Sequence, residues 1–234
     1  MMGIFAKCLP ALPNLQKITL WNVGLMDGTF SSFMNVLQHC PSVKVISLEG
    51  NPLPDQSYHK LISDDLGLVH ISLRNNQIND EGARLISQAL QSLKITNKHL
   101  ATLVLSYNHI TDLGAGYIAQ QAEAPEVSNP LLEQAEFRDG KVFLPGNKVL
   151  INLNLSRNRV TEEGLRSFLA AMETQVRETK VTSGARTHTG LLRLSLGKNK
   201  FPAECSTFVQ IQEIMVSRDP IYKSPRSSVD EQVM

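Results

Sequence analysis

Residues Leu68–Leu90 read LVHISLRNNQINDEGARLISQAL, and their spacing decides the fold. Apolar residues at Leu68, Ile71, Leu73 and Ile78 bracket Asn76, giving L-x-x-L-x-L-x-x-N-x-L. The alternation through Ile71 and Leu73 predicts a short strand with those side chains pointing inward. Asn76 suits backbone groups that a tight turn leaves unpaired, since such groups must find partners when buried. Downstream, Asp80 and Gly82-Ala83 lead into Leu85, Ile86, Ala89 and Leu90, the stripe of an amphipathic helix. The carboxylate marks a helix start, and the Gly-Ala pair lets that helix lie close against the strand. One such unit cannot bury its own apolar face, so further copies must stack on it.

The copies are present. Their first apolar positions are Leu15, Val43, Leu68, Leu100, Leu150 and Leu191, so successive steps are 28, 25, 32, 50 and 41 residues. Five of the six carry the asparagine, as Asn51, Asn76, Asn108, Asn158 and Asn199, whereas the first has Val23. Asp112 with Gly114-Ala115 and Glu162 with Gly164-Leu165 repeat the helix-start signal. Over roughly residues 5 to 215 the pattern resembles the leucine-rich repeat in its ribonuclease-inhibitor form. The resemblance implies an α/β leucine-rich repeat solenoid, a horseshoe with parallel strands on the concave face and helices on the convex face.

The uneven steps divide the chain. Residues 1–120 read as N-terminal repeats with a truncated first unit, and residues 148–216 as C-terminal repeats. Between them, residues 121–147 hold three prolines, two glycines and mixed charge, and read as an irregular insertion that leaves a weak seam. Within it Lys141 to Leu144 is a candidate short strand before the Pro145-Gly146 turn. The last step holds a helix around Glu163 to Val176, then a polar loop from Glu178 to Gly190. Residues 217–234, with Pro220, Pro225 and the pair Ser227-Ser228, read as a disordered tail. Phe5, Cys8, Leu9 and Leu12 stand at the same offsets before Leu15 as Phe33, Val36, Leu37 and Cys40 before Val43. Residues 5 to 12 are therefore expected to be the back of a repeat helix whose strand is absent. That points to a shortened form, or to an edge covered by a partner.

Two longer stretches carry a narrower resemblance. LRNNQINDEGARLISQALQSLKITNKHLATLVLSYNHITDLGAGYIAQ (Leu73–Gln120) and FLPGNKVLINLNLSRNRVTEEGL (Phe143–Leu165) are similar to the family of leucine-rich repeat-containing protein 71. That resemblance implies a non-enzymatic protein associated with motile cilia and sperm. It also implies a further repeat and a charged segment between Gln121 and Ala122, and an extension before Met1, again the mark of a shortened form.

Composition narrows the remaining classes. With 234 residues, 42% of them hydrophobic, the chain can bury a continuous core, and its net charge of +1 gives no bulk attraction to nucleic acid or membrane. Three dispersed cysteines, Cys8, Cys40 and Cys205, build neither a disulfide framework nor a four-ligand zinc site, and free thiols suit a reducing, cytoplasmic compartment. No stretch is long and apolar enough for a membrane span, and the start lacks a secretory pattern. Phosphate-binding, nucleophile-elbow and H-E-x-x-H motifs are missing, the histidines fall at unrelated repeat positions, and His39-Cys40 sits at a repeat boundary where Cys40 is expected to pack. Adjacent carboxylates at Asp64-Asp65 and Glu162-Glu163 point apart on a helix. Neither catalysis, a cofactor nor a metal is expected.

A solenoid of this kind binds through its strand face. Positions beside the inward leucines carry Lys17, Lys44, Arg74, Arg157, Arg193 and Lys198 against one acidic residue, Glu49. Trp21, His70 and Tyr107 share the face, and Trp, Tyr and Arg are frequent interface anchors. A merely solvated face could carry the same six cations. The sharper expectation is a protein-protein interaction scaffold or adaptor whose concave residues Lys17, Trp21, Lys44, His70, Arg74, Tyr107, Arg157, Arg193 and Lys198 receive an acidic partner surface. Through the family resemblance, that partner is placed in the ciliary or sperm axoneme, with acidic microtubule surfaces as candidates. The alternative is a regulator of an enzyme, for example a small-GTPase activator working through Arg159 or Asn75. The basic strip lacks interleaved stacking aromatics, so nucleic acid is not expected, nor is a small-molecule substrate.

Overall fold

The computed structural model of the chain describes residues 2–64, 66–92, 99–120, 136–138, 141–143, 150–181 and 190–218. The strands are β1 (Lys17–Thr19), β2 (Val45–Ser47), β3 (His70–Ser72), β4 (Thr102–Val104), β5 (Glu136–Arg138), β6 (Lys141–Phe143), β7 (Asn152–Asn154) and β8 (Arg193–Ser195). The helices are α1 (Met2–Cys8), α2 (Asp27–Leu37), α3 (Asp55–Tyr58), α4 (Lys60–Ser63), α5 (Asp80–Ser92), α6 (Asp112–Gln120), α7 (Glu162–Val181) and α8 (Ser206–Arg218). Six strands form one parallel sheet in the order β1-β2-β3-β4-β7-β8. The register puts Ile18, Ile46, Ile71, Leu103, Leu153 and Leu194 side by side. All six point into the core, and their neighbours on each strand face out.

The excursion between β4 and β7 does not weaken the seam there. The Leu105 amide donates to Asn154 O at 2.8 Å and the Tyr107 amide to Ser156 O at 3.0 Å, as at other repeat junctions. Helices α6 and α7 pack directly on one another. Of the insertion only β5 and β6 are described, and they pair antiparallel; Lys141–Phe143 is a strand as the sequence suggests. The rest of residues 121–147, residues 182–189 and residues 219–234 lie outside the described residues. Helix α7 continues to Val181, past the point where polarity suggested a loop. Arg218, assigned to the tail on its charge, instead ends α8 and is buried, with Nε donating to Leu191 O at 3.2 Å.

The asparagines form a ladder, and it has a direction. Asn108 Oδ1 accepts the amides of Asn76 (2.9 Å) and Ile78 (3.0 Å), which belong to the repeat before it. Its Nδ2 donates to Leu73 O of that repeat and to Leu105 O of its own, both at 3.0 Å. Asn51 does the same for Val23 and Leu25, and Asn199 for Asn158 and Val160. An asparagine at position 23 would have no earlier turn to serve among the described residues.

On the helix side the traffic runs the other way. Asp80 Oδ1 accepts the amides of Thr111 (2.8 Å) and Gly114 (3.0 Å), and Oδ2 accepts the Thr111 hydroxyl (2.6 Å), all in the following repeat. Asp112 repeats this on Thr161 and Gly164. The acidic residue that announces one helix therefore caps the next, while Asn79 Oδ1 caps α5 itself through the Glu81 and Gly82 amides. The glycines answer to the same contact. A Cβ on Gly82, Gly114 or Gly164 would stand 2.5 Å from the carboxylate oxygen of Asp55, Asp80 or Asp112 respectively.

One junction is built differently. The fully buried Tyr58 places its hydroxyl where it accepts the Leu53 amide at 2.6 Å and lies 3.1 Å from both Asn51 O and Asn76 O. Asn76 still accepts the Asn51 amide at 2.6 Å, but its Nδ2 has no partner. Burial pushes the Tyr58 phenol from 10.0 up to about 12 against the pull of the Leu53 amide, with Asp55 adding to the rise. The folded chain keeps that proton where the unfolded chain has released it. Stability is therefore expected to fall by about 2–3 kcal/mol between pH 10 and 12. Tyr58→Phe should be less stable at neutral pH by about 1–3 kcal/mol, because the Leu53 amide loses its acceptor. It should lose less than the parent chain above pH 10. Urea midpoints at neutral and alkaline pH check both halves, and parallel losses for the two chains would refute the second.

Candidate functional site

The strand face resolves the nine expected residues into separate rows. Lys17, His70 and Arg193 share one row, because the register aligns Lys17, Val45, His70, Thr102, Asn152 and Arg193. Trp21 and Arg74 follow their strands in a second row with Glu49. Tyr107, Arg157 and Lys198 stand one residue further on, at the turn. There the backbone is left-handed in all six repeats: Asn22 (φ 48°), Gly50 (71°), Asn75 (57°), Tyr107 (58°), Arg157 (55°) and Lys198 (59°). Such a conformation costs an ordinary L-residue about 1 kcal/mol, and it turns the chain so that the next residue, the asparagine, points inward. These three side chains therefore spring from a bonded rim and not from the strands.

The structure brings three of the expected residues into one stack. The Arg74 guanidinium carbon lies 4.4 Å from the centre of the Tyr107 ring and that of Arg157 lies 4.8 Å from it. Arg74 Nη1 also meets Glu49 Oε1 at 2.5 Å, so the face's one acidic group is already engaged. A guanidinium stacked on an aromatic ring keeps its donor edge for a planar carboxylate. For Arg74 Glu49 occupies part of that edge, and for Arg157 no carboxylate among the described residues does.

Other expected residues lie apart from the stack. Trp21 is 70% exposed at the β1 end, and five strand steps, roughly 24 Å, separate the first repeat from Arg193 and Lys198 in the last. Lys44 sits at the opposite end of its strand, lining a cavity of about 570 Å³ with Asp64, Gly67 and His99. His70 is half-buried; burial, with the Lys17 charge second, pulls its imidazole below the usual range, so it is neutral at neutral pH. His39 and Cys40 point apart: His39 Nδ1 bonds Asn35 O, while the buried Cys40 thiol donates to Val36 O. The described residues hold no cluster of metal-ligating side chains, and none of their helices is long and apolar enough to cross a membrane.

Two cations outside the expected set belong to the same surface. Arg159 and Lys200 are exposed two residues beyond Arg157 and Lys198, with a ladder asparagine between each pair. The signal was readable as Arg-Asn-Arg and Lys-Asn-Lys, but only residues before the asparagine were assigned to the face.

Comparison with known proteins agrees with this architecture. The family described as "Leucine Rich repeat" matches residues 68–87, 96–119 and 146–169. Among solved structures, the chain is similar to the leiomodin-1 actin-binding site 2 (14% identity, 93% of this chain and 88% of that chain covered, TM-score 0.48). It is also similar to the tropomodulin C-terminal domain of Caenorhabditis elegans (11% identity, 93% and 92% covered, TM-score 0.45). Three matched repeats inside a parallel sheet of six, joined by one asparagine ladder, make this chain a leucine-rich repeat protein by fold.

Proposed function

We propose that the protein is a non-enzymatic interaction scaffold that receives an acidic protein surface on its strand face. The observation that carries this reading is the charge of that face: its lone carboxylate, Glu49, is tied to Arg74, while Lys17, Arg157, Arg193 and Lys198 add further positive charge. Charge steers the encounter, and Tyr107 and Trp21 supply apolar contact area. The buried side chains of Asn51, Asn108 and Asn158 join one repeat to the next. Through its resemblance to a family linked with motile cilia and sperm, the acidic partner is sought on axonemal microtubules.

Reversing charge at Arg74, Arg157 and Arg193 together should reduce partner capture from cell extract about tenfold at physiological salt. The difference should shrink as salt rises, because exposed charges are screened. Equal capture by the reversed and parent chains sinks the reading. Arg159 and Asn75 project from exposed turns, which keeps a second reading in view, a regulator of a small GTPase. Unchanged hydrolysis across a GTPase panel removes it.

A further inference from the structure

The densest positive charge lies not in the strand rows but on the turns after β7 and β8. There the chain runs Arg157-Asn158-Arg159 and Lys198-Asn199-Lys200, each asparagine turned into the ladder and each cation exposed. The backbone beneath them is fixed. The Arg157 amide donates to Gly197 O at 2.9 Å, Arg159 to Ile110 O at 2.8 Å and Lys200 to Val160 O at 2.8 Å. The four cations thus stand in two pairs on neighbouring turns, whose backbones run about 5 Å apart across repeats. None of the four is ion-paired among the described residues. The preceding repeat adds Tyr107, whose ring holds Arg157 face-on.

We propose that this rim is the docking site for a carboxylate-rich peptide in extended conformation, with Arg157 as its fork and Tyr107 as the residue that positions that fork. The proposal rests on the acidic-partner reading and moves its anchor from the strand rows to the turns. Two features favour carboxylates on a peptide over a nucleic acid. An extended peptide presents alternate side chains on one face, so its carboxylates can meet cations on successive turns. Single-stranded nucleic acid binds by stacking bases on aromatic faces, and the Tyr107 ring is already stacked against Arg74 and Arg157.

The test uses the full chain and fluorescence anisotropy with a labelled ten-residue glutamate peptide, beside a ten-nucleotide single-stranded DNA. The peptide should bind, and the R159E/K200E variant should bind it about tenfold more weakly. Both side chains are exposed and unpaired, so that variant keeps the fold. K17E, on the strand row, should change affinity less than about twofold. Tyr107→Ala should weaken binding several-fold, and Tyr107→Phe, which keeps the ring, should restore it. If K17E and R193E abolish binding and R159E/K200E does not, the rim is wrong and the strand-face reading stands. If the peptide fails to bind while charge reversal still abolishes capture from extract, the carboxylate-peptide site is likewise overturned and the broader reading survives. Tighter binding of the DNA than of the peptide also overturns the proposal.

Discussion

Asn108→Leu should lower the stability of the solenoid by about 3–5 kcal/mol, the largest effect expected of any single polar substitution in it. The side chain is close in size, so the loss is one of partners. The amides of Asn76 and Ile78 and the carbonyls of Leu73 and Leu105 would all be left with one bond fewer in a dry interior. Each stranded group costs about 1–3 kcal/mol, and partial relaxation holds the sum below the full total. Urea unfolding followed by circular dichroism measures it. The companion substitution, Val23→Asn, should change stability by less than about 0.5 kcal/mol, because no earlier turn awaits that side chain. If Val23→Asn stabilises the chain by more than about 1 kcal/mol, the asparagine must act within its own repeat, and the directional ladder is wrong.

The second large effect lies on the helix side. In Gly114→Ala the new Cβ would stand 2.5 Å from Asp80 Oδ1, 2.8 Å from Ile110 Cγ2 and 3.0 Å from the Ala83 Cβ. The carboxylate cannot simply swing away, since three hydrogen bonds to Thr111 and Gly114 hold it. Overpacking of this kind costs about 1–3 kcal/mol, although alanine is otherwise the better helix former by about 1 kcal/mol. Gly116→Ala in the same helix meets nothing nearer than Ser167 Oγ at 3.7 Å. It should be neutral or stabilising, which separates the carboxylate contact from helix propensity. Combining Gly114→Ala with Asp80→Ala should cost less than the sum of the two, because the second change removes one source of the clash. A coupling of at least about 1 kcal/mol is expected in the double-mutant cycle. Strict additivity would mean that the glycine is there for another reason.

Strand positions and inward residues were legible because they depend on a local pattern of period two: Ile71 and Leu73 are buried as their spacing requires. The need for an asparagine was legible too, since a tight turn must find partners for its amides. Which turn it serves was not, because that depends on the sheet neighbour and not on the chain neighbour. The same blindness affected Asp80, read as the start of its own helix while its carboxylate reaches the next one. Tyr58 carries no signal in the repeat pattern, yet its hydroxyl takes over a ladder acceptor. At the candidate site, charge was countable from sequence but pairing was not. Glu49 with Arg74, and Tyr107 between two guanidiniums, join residues 25 to 50 positions apart. Lys44 was grouped with the strand face by its place in the repeat, although it lies at the far end of the strand. The left-handed turn, which lifts Arg157 and Lys198 onto the rim, has no residue signature here, since asparagine, glycine, tyrosine, arginine and lysine all occupy it.

The opposed directions of the two ladders make the repeat an interchangeable module. Each unit brings the asparagine that its predecessor lacks and the carboxylate that its successor lacks, so it arrives with half of two joints and finds the other halves waiting. A unit spliced in at an interior seam would leave no widowed groups on either side. Deleting a unit from one end has unequal consequences. Loss of the β8 unit would bare the amides of Asn158 and Val160, whereas loss of the β1 unit would leave the Asn51 side chain with fewer clients and take the Asp27 acceptor from the Ser57 hydroxyl. A chain with such joints can change its length by duplication without redesign, and trimming strips backbone partners at its β8 side and side-chain partners at its β1 side.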